Sequence, residues 1–225
     1  MSMLNFGFDD FDESRNEDRL KDLVASFEHS EGSDYFDSDT LEDIATFYYE
    51  QSRYDDALRV IDRVLDAQPF SSDGWMRRGI LLNNLGRHKE ALDAYDRTLA
   101  LNPADLETLV NRGITLDSLD RPEEAIESYQ DALLIDPASD EALFNKGVTL
   151  ERLNRLTEAV ETFEGCADAN PEHPEVWYEL GFCYDRANNV YKALEAYDRH
   201  LAIDPYSHSP RTNPCTVLKL ARIPT

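Results

Sequence analysis

The groups that could do chemistry in this chain are five histidines, three cysteines and 46 carboxylates. Histidine would serve as a general base, cysteine as a nucleophile or metal ligand, and a carboxylate pair as acid and base. Their spacing fits none of these roles. His29, His88, His173, His200 and His208 are scattered and fall mostly near expected turns. Cys166, Cys183 and Cys215 form no Cys-x-x-Cys pair and have no His or Cys at zinc-finger spacing. They read as small buried side chains, and a chain with 41% apolar residues needs no disulfide framework. Adjacent carboxylates such as Glu123 and Glu124 read as solvated surface in so acidic a sequence. There is no phosphate loop, no Gly-x-Gly-x-x-Gly, no Gly-x-Ser-x-Gly and no His-Glu-x-x-His. The expectation is no catalytic residue, no metal site and no cofactor.

Charge narrows the partners. The 46 acidic residues outnumber the 22 basic ones, giving a net charge of −24 over 225 residues. Such a surface repels nucleic acid and anionic membranes. No apolar run approaches the roughly 20 residues of a membrane helix. The N-terminus, MSMLNFGFDDFDE, has neither the basic start nor the apolar segment of a secretory signal, and a cytoplasmic location is expected. Asp exceeds Glu, 26 to 20, and Arg exceeds Lys, 17 to 5, a balance like that of proteins from salt-loving organisms. Self-repulsion at this charge destabilises the folded state, and salt screens it. Molar KCl is therefore expected to raise the melting temperature. A melt indifferent to KCl would remove the halophile reading.

The order in the sequence lies in a period. Pro69, Pro103, Pro137, Pro171 and Pro205 stand 34 residues apart. Ala57, Ala91, Ala125, Ala159 and Ala193 keep the same step. So do Gly79, Gly113, Gly147 and Gly181, with Ala45 in the first place, and Ile61, Tyr95, Tyr129, Phe163 and Tyr197. Apolar residues recur three and four apart, as in Leu143, Gly147 and Leu150, which is a helical period. Gly86, Asp120, Asn154 and Asn188, again 34 apart, are residue types that tolerate the left-handed backbone where helices stop. Pro122 suits a first helical turn. The Asn-Pro and Asp-Pro steps at 102–103, 136–137, 170–171 and 204–205 end the second helix of each pair. The repeated Gly and Ala imply close helix crossings.

Trp177, Leu180, Gly181, Tyr184, Ala193, Tyr197 and Pro205 reproduce the tetratricopeptide-repeat signature, and Trp75, Gly79, Ala91, Tyr95 and Pro103 repeat most of it. The pattern resembles that family, and the Asn-Arg-Gly and Asn-Lys-Gly runs at 111–113 and 145–147 resemble a common bacterial variant. The resemblance implies an all-α fold, a right-handed superhelical solenoid of stacked antiparallel helix hairpins. Five units are expected at 38–71, 72–105, 106–139, 140–173 and 174–207. Residues 1–14 read as a disordered acidic N-terminus in which Phe6, Phe8 and Phe11 offer a short docking motif as the second reading. Residues 15–37 read as a capping helix and linker, with Leu20, Leu23, Val24 and Phe27 on one face. Residues 208–225 are basic: Arg211, Lys219 and Arg222 stand where no acidic residue follows Asp204. They read either as a scar or truncation of a longer array, or as a short cap at 214–223.

In the family, first helices line a groove with their second, fifth, ninth, twelfth and thirteenth residues. Here the fifth and ninth are Met76 and Ile80, Val110 and Ile114, Phe144 and Val148, and Tyr178 and Phe182. Asn83, Asn84, Asp117, Ser118, Glu151, Arg152, Asp185 and Arg186 surround them. Such a row could take an amphipathic helix or extended peptide, or could merely pack neighbouring first helices together. Some relatives grip C-terminal carboxylates through a Lys/Asn/Lys/Arg clamp. Asn111 and Asn145 match its central Asn, but the basic partners are missing and Glu107, Glu141 and Glu175 stand along the rim. No affinity for an EEVD-type tail is expected, and micromolar binding of such a peptide would contradict this. Arg78, Arg112 and Lys146 form a second ladder. They could grip an acidic partner, or lay their stems on the helix pair and send the charge to water or a nearby carboxylate. The functional expectation is a non-catalytic scaffold or adaptor that binds a protein or peptide. The alternative is a structural or regulatory segment of a longer repeat protein, its groove filled by another part of itself.

Overall fold

The structure, a computed structural model, describes residues 9–29 and 36–205. It consists of eleven helices, with no strand among the described residues. They are α1 (Asp9–His29), α2 (Ser38–Glu50), α3 (Tyr54–Ala67), α4 (Ser72–Asn84), α5 (His88–Leu101), α6 (Leu106–Ser118), α7 (Pro122–Ile135), α8 (Asp140–Arg152), α9 (Leu156–Ala169), α10 (Pro174–Arg186) and α11 (Val190–Ile203). From α2 onward they pair as hairpins, α2 with α3 through α10 with α11. The chain divides into two compact units, Met1–Asn102 with α1–α5 and Pro103–Thr225 with α6–α11.

Local rules write each hairpin. The first helix starts behind a side-chain cap at Asp37, Ser71, Asp105 and Ser139, whose oxygens accept the N–H groups of Thr40, Gly74, Thr108 and Ala142. His173 breaks the series and makes no such bond. The first helix stops at a left-handed residue, Ser52, Gly86, Asp120, Asn154 or Asn188, with φ between 57° and 71°. The next N–H reaches back to close the end, as in Arg87 N to Leu82 O at 2.8 Å and Arg155 N to Leu150 O at 2.9 Å. The second helix ends before proline at Gln68, Asn102, Asp136, Asn170 or Asp204, where φ is −124° to −136°. In the two units that carry tryptophan, the indole N–H holds the proline carbonyl: Trp75 Nε1 to Pro69 O at 2.9 Å and Trp177 Nε1 to Pro171 O at 2.8 Å.

Inside each hairpin a small residue meets a ring. A methyl group added at Gly79, Gly113, Gly147 or Gly181 would stand 2.3, 2.4, 2.5 or 2.6 Å from the ring of Tyr95, Tyr129, Phe163 or Tyr197. These rings are at most 2% exposed, and Ala57, Ala91, Ala125, Ala159 and Ala193 are fully buried. In the first hairpin, where Ile61 replaces the ring, Ala45 replaces the glycine. The close crossings expected from sequence are thus backbone-on-ring contacts.

Three further expectations meet the structure here. α1 begins at Asp9, so the helix takes in residues 9–14, for which disorder was expected. Val24 is buried and Leu20, Leu23 and Phe27 pack on the core of α2 and α3. Cys166 and Cys183 are buried free thiols, each pushed up to about 12 by burial. Residues 1–8, 30–35 and 206–225 lie outside the described residues, and with them Phe6, Phe8, Cys215 and the tail reading.

Each second helix from α3 to α9 opens on the same ion pair. Arg87 grips Glu90 at 2.6 Å, Arg121 grips Glu124 at 2.6 Å, Arg155 grips Glu158 at 2.5 Å, and Arg53 with Arg59 grips Asp56. Hydrogen bonds from the arginines hold Glu90, Glu124 and Glu158 below the usual carboxylate range. A carboxylate with a lower pKa folded than unfolded adds stability above its unfolded pKa and loses it as pH falls through the folded value. The variant Arg87→Gln/Arg121→Gln/Arg155→Gln is therefore expected to melt below the parent at neutral pH. The difference should close as pH drops through about 4 and lower, the unfolded range for glutamate. Paired melts at neutral and acid pH test this, and a difference independent of pH would refute it.

Candidate functional site

The candidate residues divide between the two units: Met76, Ile80, Asn83 and Asn84 lie on α4, and Val110, Ile114, Phe144, Val148, Arg152, Tyr178 and Phe182 on α6, α8 and α10. On α4, Met76 and Ile80 are half-buried. The two asparagines are engaged locally, Asn83 Oδ1 with His88 Nδ1 at 2.8 Å and Asn84 Nδ2 donating to Ile80 O at 2.9 Å.

On α6, α8 and α10 the ladder splits in its burial. Val110 is 1% exposed and Tyr178 5%, so both are core residues. Tyr178 packs on Tyr197 and His200, with ring centres 5.9 and 5.5 Å away. Ile114, Phe144, Val148 and Phe182 are half-buried and present an apolar surface. Phe144 stacks on His173 at 4.8 Å and tilts against Phe163 at 6.0 Å. Ile114, Asp117, Ser118, Tyr129, Asn145, Val148 and Arg152 line a cleft of about 170 Å³. Tyr129 was legible only as a repeat aromatic, and nothing in the sequence marked His173 as the partner of Phe144.

The charged residues around this surface are largely committed to one another. Arg152 pairs with Asp117 and also donates to the Asp117 carbonyl at 3.4 Å. Arg186 pairs with Glu151 at 2.9 Å and donates to Asn154 Oδ1 at 2.6 Å. Each arginine thus reaches back to an acidic residue near the end of the preceding first helix. Burial raises the Asp117 carboxyl above its usual range, against the pull of Arg152. In the second ladder, Arg78 Nε bonds Asp62 at 2.8 Å with its guanidinium over Trp75, and Arg112 Nη1 bonds Ser128 Oγ at 3.4 Å. Those two cations face second helices, Arg78 toward Asp62 of α3 and Arg112 toward Ser128 of α7.

A second cleft, of about 330 Å³, lies among α9, α10 and α11. Trp177 carries the Arg199 guanidinium 4.5 Å from its centre, and Tyr184 carries the Lys192 ammonium at 4.9 Å. Lys192 also meets Glu164 at 3.4 Å. Trp177 and Tyr184 were legible only as signature residues, and nothing in the sequence marked Lys192 or Arg199 as their partners. Among the described residues, no group of three His, Cys, Asp or Glu side chains is placed to hold a metal ion, and no helix is long and apolar enough to cross a membrane.

A family model described as tetratricopeptide repeat matches residues 43–105 and 110–168, and a second model of the same description matches 150–208. The chain belongs to the tetratricopeptide-repeat family. No curated protein matches it in sequence. Solved structures share the fold of this repeat protein at low identity. A crystal structure of MamA is 17% identical, with TM-score 0.66, and the match covers 78% of this chain and 96% of that one. MamA 41-end from Desulfovibrio magneticus RS-1 is 20% identical, with TM-score 0.68, covering 76% and 97%. YrrB, described as a TPR protein with an unusual peptide-binding site, is 22% identical, with TM-score 0.62, covering 89% and 98%.

Proposed function

We propose that this tetratricopeptide-repeat protein is a non-catalytic scaffold whose α6–α8–α10 face holds an amphipathic segment of a partner protein. The observation that carries the reading is the set of half-buried apolar side chains, Ile114, Phe144, Val148 and Phe182, repeated on one face of successive first helices beside a cleft. Inserting a partner's apolar side chains there would remove surface from water at about 25 cal/mol per Å². The peptide-binding site named for YrrB supports this use of the fold. Among the described residues, the two thiols are held protonated by burial and His88 and His200 are engaged in local hydrogen bonding and packing, which supports the non-catalytic reading.

The test is affinity capture with the parent and with Phe144→Ala and Phe182→Asp, each first shown by circular dichroism to be folded. Phe70→Ala, at a ring 83% exposed on α3–α4 connecting chain, serves as control. A partner retained by the parent and the control but lost by both groove variants is expected. A partner retained equally by all four overturns the proposal.

A further inference from the structure

We infer that the segment this face accepts is cationic along one edge, an inference that rests on the groove reading above. The three first helices of the second unit repeat one pattern at spacings of three, four and three. It runs Glu107, Val110, Ile114, Asp117 on α6; Glu141, Phe144, Val148, Glu151 on α8; and Glu175, Tyr178, Phe182, Asp185 on α10. Those spacings put all four residues of a row on one helix face. Each row reads carboxylate, apolar, apolar, carboxylate; Val110 and Tyr178 belong to the core, and the half-buried Ile114, Phe144, Val148 and Phe182 form the apolar strip between two edges of negative charge.

The two edges differ in what neutralises them. At the C-terminal edge, Arg152 engages Asp117 and Arg186 engages Glu151, while Asp185 forms no ion pair among the described residues. At the N-terminal edge, Glu107, Glu141 and Glu175 are all exposed. Among the described residues neither Glu107 nor Glu141 forms an ion pair, and Glu175 meets only the His173 ring at 3.5 Å. The other cations of these helices point elsewhere: Arg112 bonds Ser128, and Lys146 acts on Glu158 of α9. A partner with apolar residues on one side and Lys or Arg beside them would place its cations against three uncompensated carboxylates. An acidic partner would set like charges together, which costs affinity and slows encounter.

Two synthetic amphipathic peptides with the same leucine face test this, one edged with Lys and Arg, the other with Glu, in fluorescence anisotropy at physiological salt. The cationic peptide should bind at least about tenfold more tightly, a difference of about 1.4 kcal/mol. Glu107→Gln/Glu141→Gln/Glu175→Gln should weaken it about tenfold. Glu127→Gln/Asp131→Asn/Glu161→Gln, the same charge change on α7 and α9, should leave it unchanged. Phe144→Ala should weaken both peptides. Equal binding of the two peptides with sensitivity to Phe144→Ala overturns the cationic edge and leaves the groove standing. Equal loss from the two triple variants also overturns it, because attraction to the acidic surface at large would then suffice. Failure of both peptides to bind sinks the groove reading with it.

Discussion

Gly147→Ala lowers the stability of this protein and Gly165→Ala raises it, although both replace a glycine inside a helix. Propensity alone favours alanine at either position by about 1 kcal/mol. At Gly165 the new methyl group meets only Leu143 Cδ2 at 3.8 Å, an ordinary contact, so the gain is kept. At Gly147 it would stand 2.5, 2.7 and 2.8 Å from three atoms of the Phe163 ring. That ring is fully buried and cannot swing aside, so helices α8 and α9 must separate. Overpacking of this kind costs about 1–3 kcal/mol, enough to exceed the propensity gain, and Gly147→Leu should cost more. The first hairpin shows how the conflict is resolved, since Ala45 and Ile61 there take the places of the glycine and the ring, both in the core. Gly79→Ala combined with Tyr95→Ile should therefore be less damaging than the sum of the single changes, a positive coupling of about 1 kcal/mol. Urea titrations followed by circular dichroism measure all of these. A stabilising Gly147→Ala would show that the helices are not held as close as described.

Phe163→Ala should be the most damaging truncation in the second unit, at about 3–5 kcal/mol. The ring is fully buried among Leu150, Ala159, Cys166, Val176 and Leu180. The ring packs against α8 at Gly147, which has no side chain to collapse into the space. Cavities that cannot relax lie at the costly end of the range. Since a domain's total stability is about 5–15 kcal/mol, this loss is a large share of it. Interactions in repeat proteins run chiefly between neighbours, so faster amide exchange should concentrate in α8 and α9. Phe182→Ala, at a half-buried ring under Arg186, should cost far less. Comparable losses at Phe163 and Phe182 would contradict the division between core ring and surface ring.

The sequence by itself determined the hairpins. The turn residues Gly86, Asp120, Asn154 and Asn188 take the left-handed backbone expected of them, and the pre-proline residues leave the helical region. These outcomes depend on sterics within a few residues, so residue type suffices to read them. Ser52, one 34-residue step before Gly86, takes the same conformation, although serine carries no such signal. The capping series Asp37, Ser71, Asp105 and Ser139 is equally local, an oxygen-bearing side chain just before each first helix. Tertiary structure alone decided the character of the candidate face. Val110 and Phe144 hold the same place in their helices, but one is buried and the other half-exposed. Arg152 and Arg186, which from sequence could have met a ligand, are taken by Asp117 and Glu151 of the preceding helices. Periodicity fixes the direction in which a side chain leaves its helix; how much room its neighbours leave, and which opposite charge lies nearest, is settled only when residues about 34 positions apart come into contact.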